Sequence, residues 1–254
     1  MVPLIAGFFL TALIYAMAGF GGGSTYTALL VLAGADYRAV PLLALLCNIA
    51  VVTLGAGAFA RAGHFNLKRS LPLFVLSVPM AWAGGRLVVG ETMFLGLLAL
   101  SLLIAGLTML WQPCWQRQND TASASRGGLV EPIAAGLLGF GAGVVGIGGG
   151  IFLAPLLYLR RWGPPKAIAA TSAAFILVNS IAGLAGQASK GLAATGELVG
   201  AYWMLFPAVV LGGGIGAVVG SRRLDPKWVR TVTALLILYV AVRLGSRWYA
   251  AVMG

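Results

Sequence analysis

Two glycine-rich stretches, Gly19-Phe20-Gly21-Gly22-Gly23 and Gly146-Ile147-Gly148-Gly149-Gly150, lie 127 residues apart in the chain. Each interrupts an apolar segment, the first at about 2–34 and the second at about 130–160. A straight helix of ~32 residues would be ~48 Å long, whereas the hydrocarbon core of a membrane is ~30 Å thick. Glycine also disfavours continuous helix. Each segment is therefore predicted to be a hairpin of two shorter helices with the glycines at its tip.

The composition is typical of an integral membrane protein. Of 254 residues, 60% are hydrophobic and 9% are charged, against about 25% charged residues in an ordinary soluble protein. The net charge is +11, but the basic residues lie in loops and at helix ends, where they anchor cytoplasmic loops. We therefore expect the lipid bilayer to surround the chain, and we expect no nucleic-acid partner.

Four hydrophobic segments precede a polar linker at 112–128, and four follow it. Their approximate bounds are 2–34, 39–60, 71–90, 92–111, 130–160, 166–188, 198–221 and 227–247. The linker is rich in Ser, Gln and charged residues, which lipid cannot accommodate. We expect one all-α membrane domain over 1–254, with repeat one at 2–111, the linker at 112–128 and repeat two at 129–249. Each repeat would hold a glycine-broken hairpin and three transmembrane helices, or about 8–10 helices in all.

Further landmarks support a duplication. At an offset of 128, Gly55 matches Gly183 and Gly63 matches Gly191. At an offset of 136, the stretch 81–87 matches 217–223. Landmarks in the same order with slowly drifting offsets indicate a repeat with small insertions.

Loop charges favour hairpins and an inverted repeat. If each glycine-broken segment crossed the membrane once, Lys and Arg would divide 8 against 9 between the two sides, whereas hairpins give 5 against 12. An excess of Lys and Arg marks the cytoplasmic side. The hairpin arrangement puts the linker in the cytoplasm and both termini outside, and it makes the two halves run in opposite directions, an architecture found in transporters. The minority set is Arg38, Arg86, Lys190, Arg243 and Arg247.

A helix broken within the membrane suits an anion. Its second half begins with backbone N–H groups that have no partner and with roughly half a positive charge, and glycine lets a ligand approach the backbone. Polar residues inside the apolar segments would complete the site. The candidate substrate-binding residues are Gly21, Gly22, Gly23, Ser24, Thr25, Asn48, Gly148, Gly149, Gly150, Thr171, Ser172 and Asn179. Tight helix packing and interhelical hydrogen bonding are the alternative roles for these residues.

Other residues bear on which ion is transported and on whether the protein is an enzyme. Arg86 and Arg222 follow equivalent small-residue stretches. They would either guide an anion to the pore mouths or extend their charged ends to the membrane–water interface. No Asp or Glu lies in the middle of an apolar segment, which disfavours a proton pump or a cation pathway. With one His and two Cys that form no CxxC pair, we expect neither a metal nor a cofactor, and no enzyme.

The glycine motifs resemble those of the TauE/SafE family of sulfite and organosulfonate exporters. The stretch Gly146-Ile147-Gly148-Gly149-Gly150-Ile151-Phe152-Leu153-Ala154-Pro155-Leu156-Leu157 is similar to the repeat signature of that family, whereas the first half has Ala28 in place of Pro155. The resemblance extends over essentially the whole chain. It implies a multi-pass protein of the bacterial inner membrane that transports sulfite, sulfoacetate or another organosulfonate, or thiosulfate.

We expect export by alternating access, with a small anion as the substrate and a homo-oligomer as one possible assembly. A transporter or channel for an unrelated small anion is the first alternative. A membrane-embedded enzyme that transfers sulfur through Cys47 is a weaker one, because no base accompanies that thiol in the sequence.

Overall fold

The computed structural model describes residues 1–17, 20–61, 63–119, 128–190, 200–220 and 226–253, which form ten α-helices and no strand. The first five are α1 (Val2–Met17), α2 (Gly23–Leu32), α3 (Val40–Arg61), α4 (Leu67–Arg86) and α5 (Glu91–Asn119). The other five are α6 (Val130–Val145), α7 (Gly150–Leu159), α8 (Pro165–Ala188), α9 (Leu205–Gly220) and α10 (Pro226–Met253). An all-helical fold with about the expected number of helices is thus confirmed.

The helices follow the predicted segments closely. Both glycine-broken segments consist of two short helices, and each of the other segments holds one helix. The main difference concerns the linker, because α5 continues beyond its apolar part to Asn119 and the first eight residues of 112–128 are helical. Residues 120–127 of the linker lie outside the described part of the chain.

The first broken segment is a helical hairpin. Close to the break, the Tyr15 hydroxyl on α1 lies 2.8 Å from the Thr25 hydroxyl on α2. Further away, the rings of Phe8 and Tyr26 stack with their centroids 4.7 Å apart. These contacts pair earlier residues of α1 with later residues of α2, so the two helices are antiparallel and the glycines form the tip.

The second broken segment is also a hairpin. At its open end, the Arg160 guanidinium donates a 2.9 Å hydrogen bond to Glu131 Oε1, which joins the end of α7 to the start of α6. At the other end, a Cβ atom added to Gly149 would lie 3.1 Å from the Cβ atom of Ala142. Both ends of the segment therefore lie on one side of the molecule, with the break far from them.

The two tips share several backbone features. The Phe20 amide donates to the Tyr15 carbonyl at 2.9 Å, and the Ile147 amide donates to the Ala142 carbonyl at 3.2 Å. The first hydrogen-bonded pair corresponds to the second at the offset of 127 that also relates the glycine motifs. The residues that precede α2 and α7, Gly22 and Gly149, both have left-handed backbone with φ of 80° and 75°. Only glycine adopts that conformation readily.

Helices of one half pack against helices of the other. The pairs α1–α9 and α6–α4 correspond to each other if the halves are exchanged, and α3–α8 and α5–α10 pair like with like. Glycines allow the closest approaches: Gly216 of α9 contacts the Leu13 carbonyl of α1, and Gly143 of α6 contacts the Ala81 carbonyl of α4. Small residues at such contacts are the usual device of membrane helices.

The outer surface fits a lipid environment. Three helices contain a stretch that is long and apolar enough to cross a membrane, Val40–Gly57, Glu91–Trp111 and Lys166–Ala188. Large apolar side chains are exposed along α4, α5, α9 and α10, and in water they would form a patch well beyond what a soluble monomer carries. Examples are Val75, Leu100, Leu103, Leu211, Val218 and Val242.

Candidate functional site

The two glycine tips meet inside the molecule. A Cβ atom added to Gly23 would lie 2.7 Å from the Ile147 carbonyl oxygen, so the start of α2 touches the loop that precedes α7. Asn48, on the long helix α3, contacts Gly21 and Gly23 of the first tip and also Gly148 of the second. The two breaks, which are 127 residues apart in the chain, therefore form one site.

Asn48 ties the tips to a second long helix. Its Oδ1 accepts a 3.2 Å hydrogen bond from the Gly23 amide, and its Nδ2 donates a 2.9 Å hydrogen bond to Ser180 Oγ on α8. Asn48 and Ser180 are both completely buried. One carboxamide thus joins α2, α3 and α8 at the point where the two glycine-rich breaks meet.

A narrow pocket lies between the tips. It is lined by Tyr15, Phe20, Gly21, Gly22, Gly23, Ser24, Asn48, Ile147, Ile151 and Ile176. Within the described part of the chain, no charged side chain lines this pocket. Its polar groups are hydroxyls, an amide and backbone, which suit an ion that must be released again.

The helix dipoles give the pocket its electrostatic character. Both α2 and α7 begin at the pocket, and a helix N-terminus carries partial positive charge and unpaired N–H groups. Asn48 Oδ1 accepts one of these N–H groups at α2. At α7 the preceding residue is Gly149, and no described side chain accepts a hydrogen bond from the first turn.

The structure brings many of the predicted residues together here. Gly21, Gly22, Gly23, Ser24 and Asn48 line the pocket. Gly148 contacts Asn48, Gly149 precedes α7, and Gly150 is its first residue.

The other four predicted residues lie outside the pocket lining, as Gly148, Gly149 and Gly150 also do. Thr25 bonds to Tyr15, and Thr171 Oγ1 lies 3.1 Å from Ser70 Oγ. The Ser172 hydroxyl is buried, with no hydrogen-bond partner in the part of the chain that the structure describes.

Asn179 lies at the contact between α8 and α4. Its Nδ2 donates to Ser77 Oγ at 3.1 Å and to the Phe175 carbonyl at 2.8 Å. Its Oδ1 is buried and, among the described residues, has no partner. A role in substrate binding remains a prediction for these four residues, as it does for the predicted residues at the pocket.

Of the two arginines proposed for the pore mouths, Arg86 lies within the described residues. The Arg86 guanidinium lies over the Trp82 ring, 4.8 Å from its centroid, at the exposed end of α4. Arg222 lies outside the described residues. Close to Arg86, Lys190 donates a 2.8 Å hydrogen bond to Gln187 Oε1, and partial burial lowers the pKa of the Lys190 ammonium.

Some pocket residues were not predicted from the sequence. Tyr15 reaches Ser24 and Thr25 only because the segment folds back on itself, so its place follows from the hairpin and not from a motif. Ile147, Ile151 and Ile176 carry no polar group that would have marked them. Tyr26 also escaped notice, although its buried hydroxyl lies beside Gly22 and has no hydrogen-bond partner among the described residues.

Comparison with known proteins identifies the family. The family model described as sulfite exporter TauE/SafE matches residues 4–244. The chain is 31% identical over 244 residues to a protein of Sinorhizobium fredii described as probable membrane transporter protein y4hK, with 96% of this chain and 97% of that protein covered. No solved structure matches the chain. Because the family match extends over nearly the whole sequence, the chain belongs to the TauE/SafE sulfite exporter family of membrane transporters.

Proposed function

We propose that this protein carries a small sulfur-containing oxyanion across the bacterial inner membrane by alternating access around the pocket between the hairpin tips. The meeting of the two tips at Asn48 is the observation that carries the proposal. Family membership supports the substrate class. Sulfite, thiosulfate, sulfoacetate and other organosulfonates are the candidates.

The pocket offers hydrogen-bond donors for such an anion. Backbone amides at the start of α2 and the groups of Tyr15, Ser24 and Asn48 surround one space. After the exchange with water, a hydrogen bond to a charged group contributes about 1.5–3 kcal/mol net, so a few of them favour binding of a single small anion. With no cationic side chain in the lining, binding stays weak enough for release.

The proposed direction is export. Moving an anion out of a negatively charged interior is downhill by about 2.3 kcal/mol per charge for each 100 mV. An exporter therefore needs no proton-carrying carboxylate in the membrane, and the lining residues of the pocket include no carboxylate.

We further propose that the halves are inverted, with the hairpins entering from opposite sides. The second hairpin opens beside the start of α4, where the Arg69 guanidinium lies 4.3 Å from the Trp162 ring centroid. The chain leaving the first hairpin passes the start of α5, where the rings of Tyr37 and Phe94 are 6.1 Å apart. Because α5 begins shortly after α4 ends, the openings lie at the two ends of α4, which is ~30 Å long for its 20 residues.

The charges suggest which opening faces the cytoplasm. Basic residues cluster at the opening of the second hairpin, at Lys68, Arg69, Arg160, Arg161 and Lys166. An excess of Lys and Arg marks the cytoplasmic side. The linker 112–128 would then be cytoplasmic, and both termini would be outside.

Ligand-dependent thermal unfolding of the purified protein tests the substrate class. Sulfite, thiosulfate, sulfoacetate, sulfate and chloride would be compared at equal ionic strength. A ligand at 100 times its dissociation constant stabilises the folded state by about 2.7 kcal/mol. We expect stabilisation by a sulfur oxyanion and none by chloride, followed by saturable counterflow of that anion in liposomes. The absence of stabilisation by all of them, or flux without counterflow, would contradict the proposal.

A further inference from the structure

The two tips are similar in part of their backbone but differ in polarity. Because the Tyr15–Phe20 and Ala142–Ile147 hydrogen bonds correspond at an offset of 127, Ala142 takes the place of Tyr15 in the second tip. At the same offset, Ile151 takes the place of Ser24. Two hydroxyl-bearing positions of the first tip are thus apolar in the second.

The third polar residue of the first tip, Asn48, also has an apolar counterpart in the second. Asn48 lies against Gly21 and Gly23 of the first tip, and Ile176 lies against the corresponding Gly148 and Gly150 of the second. The offset from 48 to 176 is 128, the same as for the matched pair Gly55 and Gly183. Ile176, and not Asn179, is therefore the structural counterpart of Asn48.

The pocket consequently has a polar and an apolar wall. Tyr15, Ser24 and Asn48 come from the first half, and Ile147, Ile151 and Ile176 come from the second. The three isoleucines are buried, and Ile176 packs directly against the first residue of α7. Among the described residues of the first half, Phe20 is the one apolar side chain in the lining.

We propose that Ile176, together with Ile147 and Ile151, is the specificity determinant of the transporter and selects an oxyanion that bears a short apolar substituent. This inference rests on the proposed function. The charged group faces Tyr15, Ser24 and Asn48, and the substituent faces the isoleucines. A sulfate ion, with oxygens on every side, would turn some of them toward side chains that donate no hydrogen bond, and buried polar atoms without partners are costly. The pocket in this structure has room for about one water molecule, so an alkanesulfonate would enter a more open state of the transporter, in which it would satisfy both walls.

A series of anions with a growing alkyl chain tests this proposal. Dissociation constants of methane-, ethane- and propanesulfonate, sulfite and sulfate would be measured on the purified protein. Burying each methylene tightens binding by roughly fourfold, so we expect affinity to rise along the series and sulfate to bind at least tenfold more weakly than propanesulfonate.

Ile176→Asn places in the second tip the residue that the first tip carries. We expect this variant to lower the preference for propanesulfonate over sulfate by at least tenfold, whereas Ile176→Val, the matched control, keeps it. Ile151→Ser makes the corresponding change at a second position, and we expect a loss in the same direction if Ile176→Asn does not fold.

The outcomes separate the inference from the proposed function. Equal binding of sulfate and alkanesulfonates, or a preference unchanged in both polar variants, would overturn the role of Ile176 and leave transport of an oxyanion standing. The absence of binding by every oxyanion of the series would overturn the proposed function itself.

Discussion

At the tip of the first hairpin, the carboxamide oxygen of Asn48 occupies the space in front of α2 where an anion would bind. It accepts the Gly23 amide at 3.2 Å, while the other end of the carboxamide is held by Ser180. An incoming oxyanion would compete with Asn48 Oδ1 for the same N–H groups. We therefore expect Asn48 to compete with the substrate for the Gly23 amide and, after rotation of its own amide, to donate a hydrogen bond to the substrate.

Asn48→Asp tests that competition through its pH dependence. The ionised carboxylate would act as a tethered anion at the N-terminus of α2, where negative charge is favoured. We expect flux of an alkanesulfonate, whose own charge is constant, to be low at neutral pH. Flux should recover as the pH falls through the pKa of the new carboxyl, because protonation removes the competing charge. Liposome flux across this pH range measures the effect.

Asn48→Ala is the control for this experiment, since its flux should be reduced without any recovery in acid. Flux that is equally low at every pH in the Asn48→Asp protein would argue against the tethered-anion explanation. Asn179→Ala extends the comparison to the second buried asparagine. Because Asn179 is bonded to Ser77 on α4, a matching loss of anion binding would indicate that the substrate reaches beyond the pocket.

The sequence predicted polar residues within apolar segments better than it predicted their partners. Asn48, Ser24 and the tip glycines stand out because polar residues and helix breakers are conspicuous in lipid-facing sequence. The pairing of Asn48 with Ser180 joins residues 132 positions apart and depends on how α3 packs on α8. Asn179 lies three residues beyond the counterpart of Asn48, and the contacts of Ile176 agree with the register that the Gly55 and Gly183 offset of 128 indicates.

On the scale of helices, close glycine contacts hold the two halves together, and α9 offers a matched pair. Gly216 contacts the Leu13 carbonyl of α1, whereas an added Cβ atom on Gly214 of the same helix would meet nothing within 4 Å. We expect Gly216→Ala to lower the free energy of unfolding by about 1–3 kcal/mol, because the backbones must separate. Gly214→Ala should leave stability unchanged or slightly higher, since alanine is the better helix former.

Thermal unfolding of both variants in the same detergent measures this difference. Equal stability of the two variants would show that the α1–α9 contact tolerates an extra methyl group and that close packing does not limit stability there.

The ion pair at the opening of the second hairpin gives a second test on this scale. Glu131 is 2% exposed and receives hydrogen bonds from Arg160 and from the Gly128 amide. Removing Arg160 would leave a buried carboxylate without its cation. Because the Arg160 side chain is 41% exposed, water compensates for part of the loss, and we expect Arg160→Gln to cost about 1–2 kcal/mol.

Arg161→Gln is the comparison, since Arg161 is the adjacent and exposed arginine. The double variant Glu131→Gln and Arg160→Gln should be more stable than the sum of the single effects predicts, because neither charge is left alone. Strict additivity in this cycle would mean that the two side chains do not stabilise the hairpin together.

The hairpins themselves were predictable because two local observations agree. A segment too long for one membrane crossing and a run of glycines in its middle both require a break. The ends of the helices were less predictable. The helix α5 extends into the polar linker to Asn119. The sequence did not predict this extension, because beyond the apolar stretch composition does not distinguish a helix in water from a loop.

For the molecule as a whole, the proposed duplication would account for both the symmetry of the helix pairs and the asymmetry of the site. The pairs α1–α9 and α6–α4 exchange when the halves are exchanged, as expected of a scaffold built from two copies of one unit. The side chains at the tips have diverged, with Tyr15, Ser24 and Asn48 in one half and Ala142, Ile151 and Ile176 in the other. In the proposed mechanism, a scaffold of two similar halves rocks about its centre, and unlike tips would suit a substrate that has two unlike ends.

Orientation in the membrane is the prediction that belongs to this scale. Arg69, at the start of α4, lies at the opening of the second hairpin, and the end of α4 packs beside the end of α8 near Gly186. Lys68 and Ser189 are both exposed and lie at these two ends. If the excess of basic residues marks the cytoplasm, Lys68 is inside and Ser189 is outside.

Single cysteines at these positions can test this arrangement. The chain contains two cysteines, Cys47 and Cys114, and both would first be changed to serine. In intact spheroplasts, a membrane-impermeant maleimide should label the Ser189→Cys protein at once and the Lys68→Cys protein only after the membrane is disrupted. The reverse pattern would invert the orientation and make the second hairpin open outward. Equal labelling of both positions in intact cells would mean that the chain inserts both ways, in which case the 5 to 12 division of basic residues does not determine its topology.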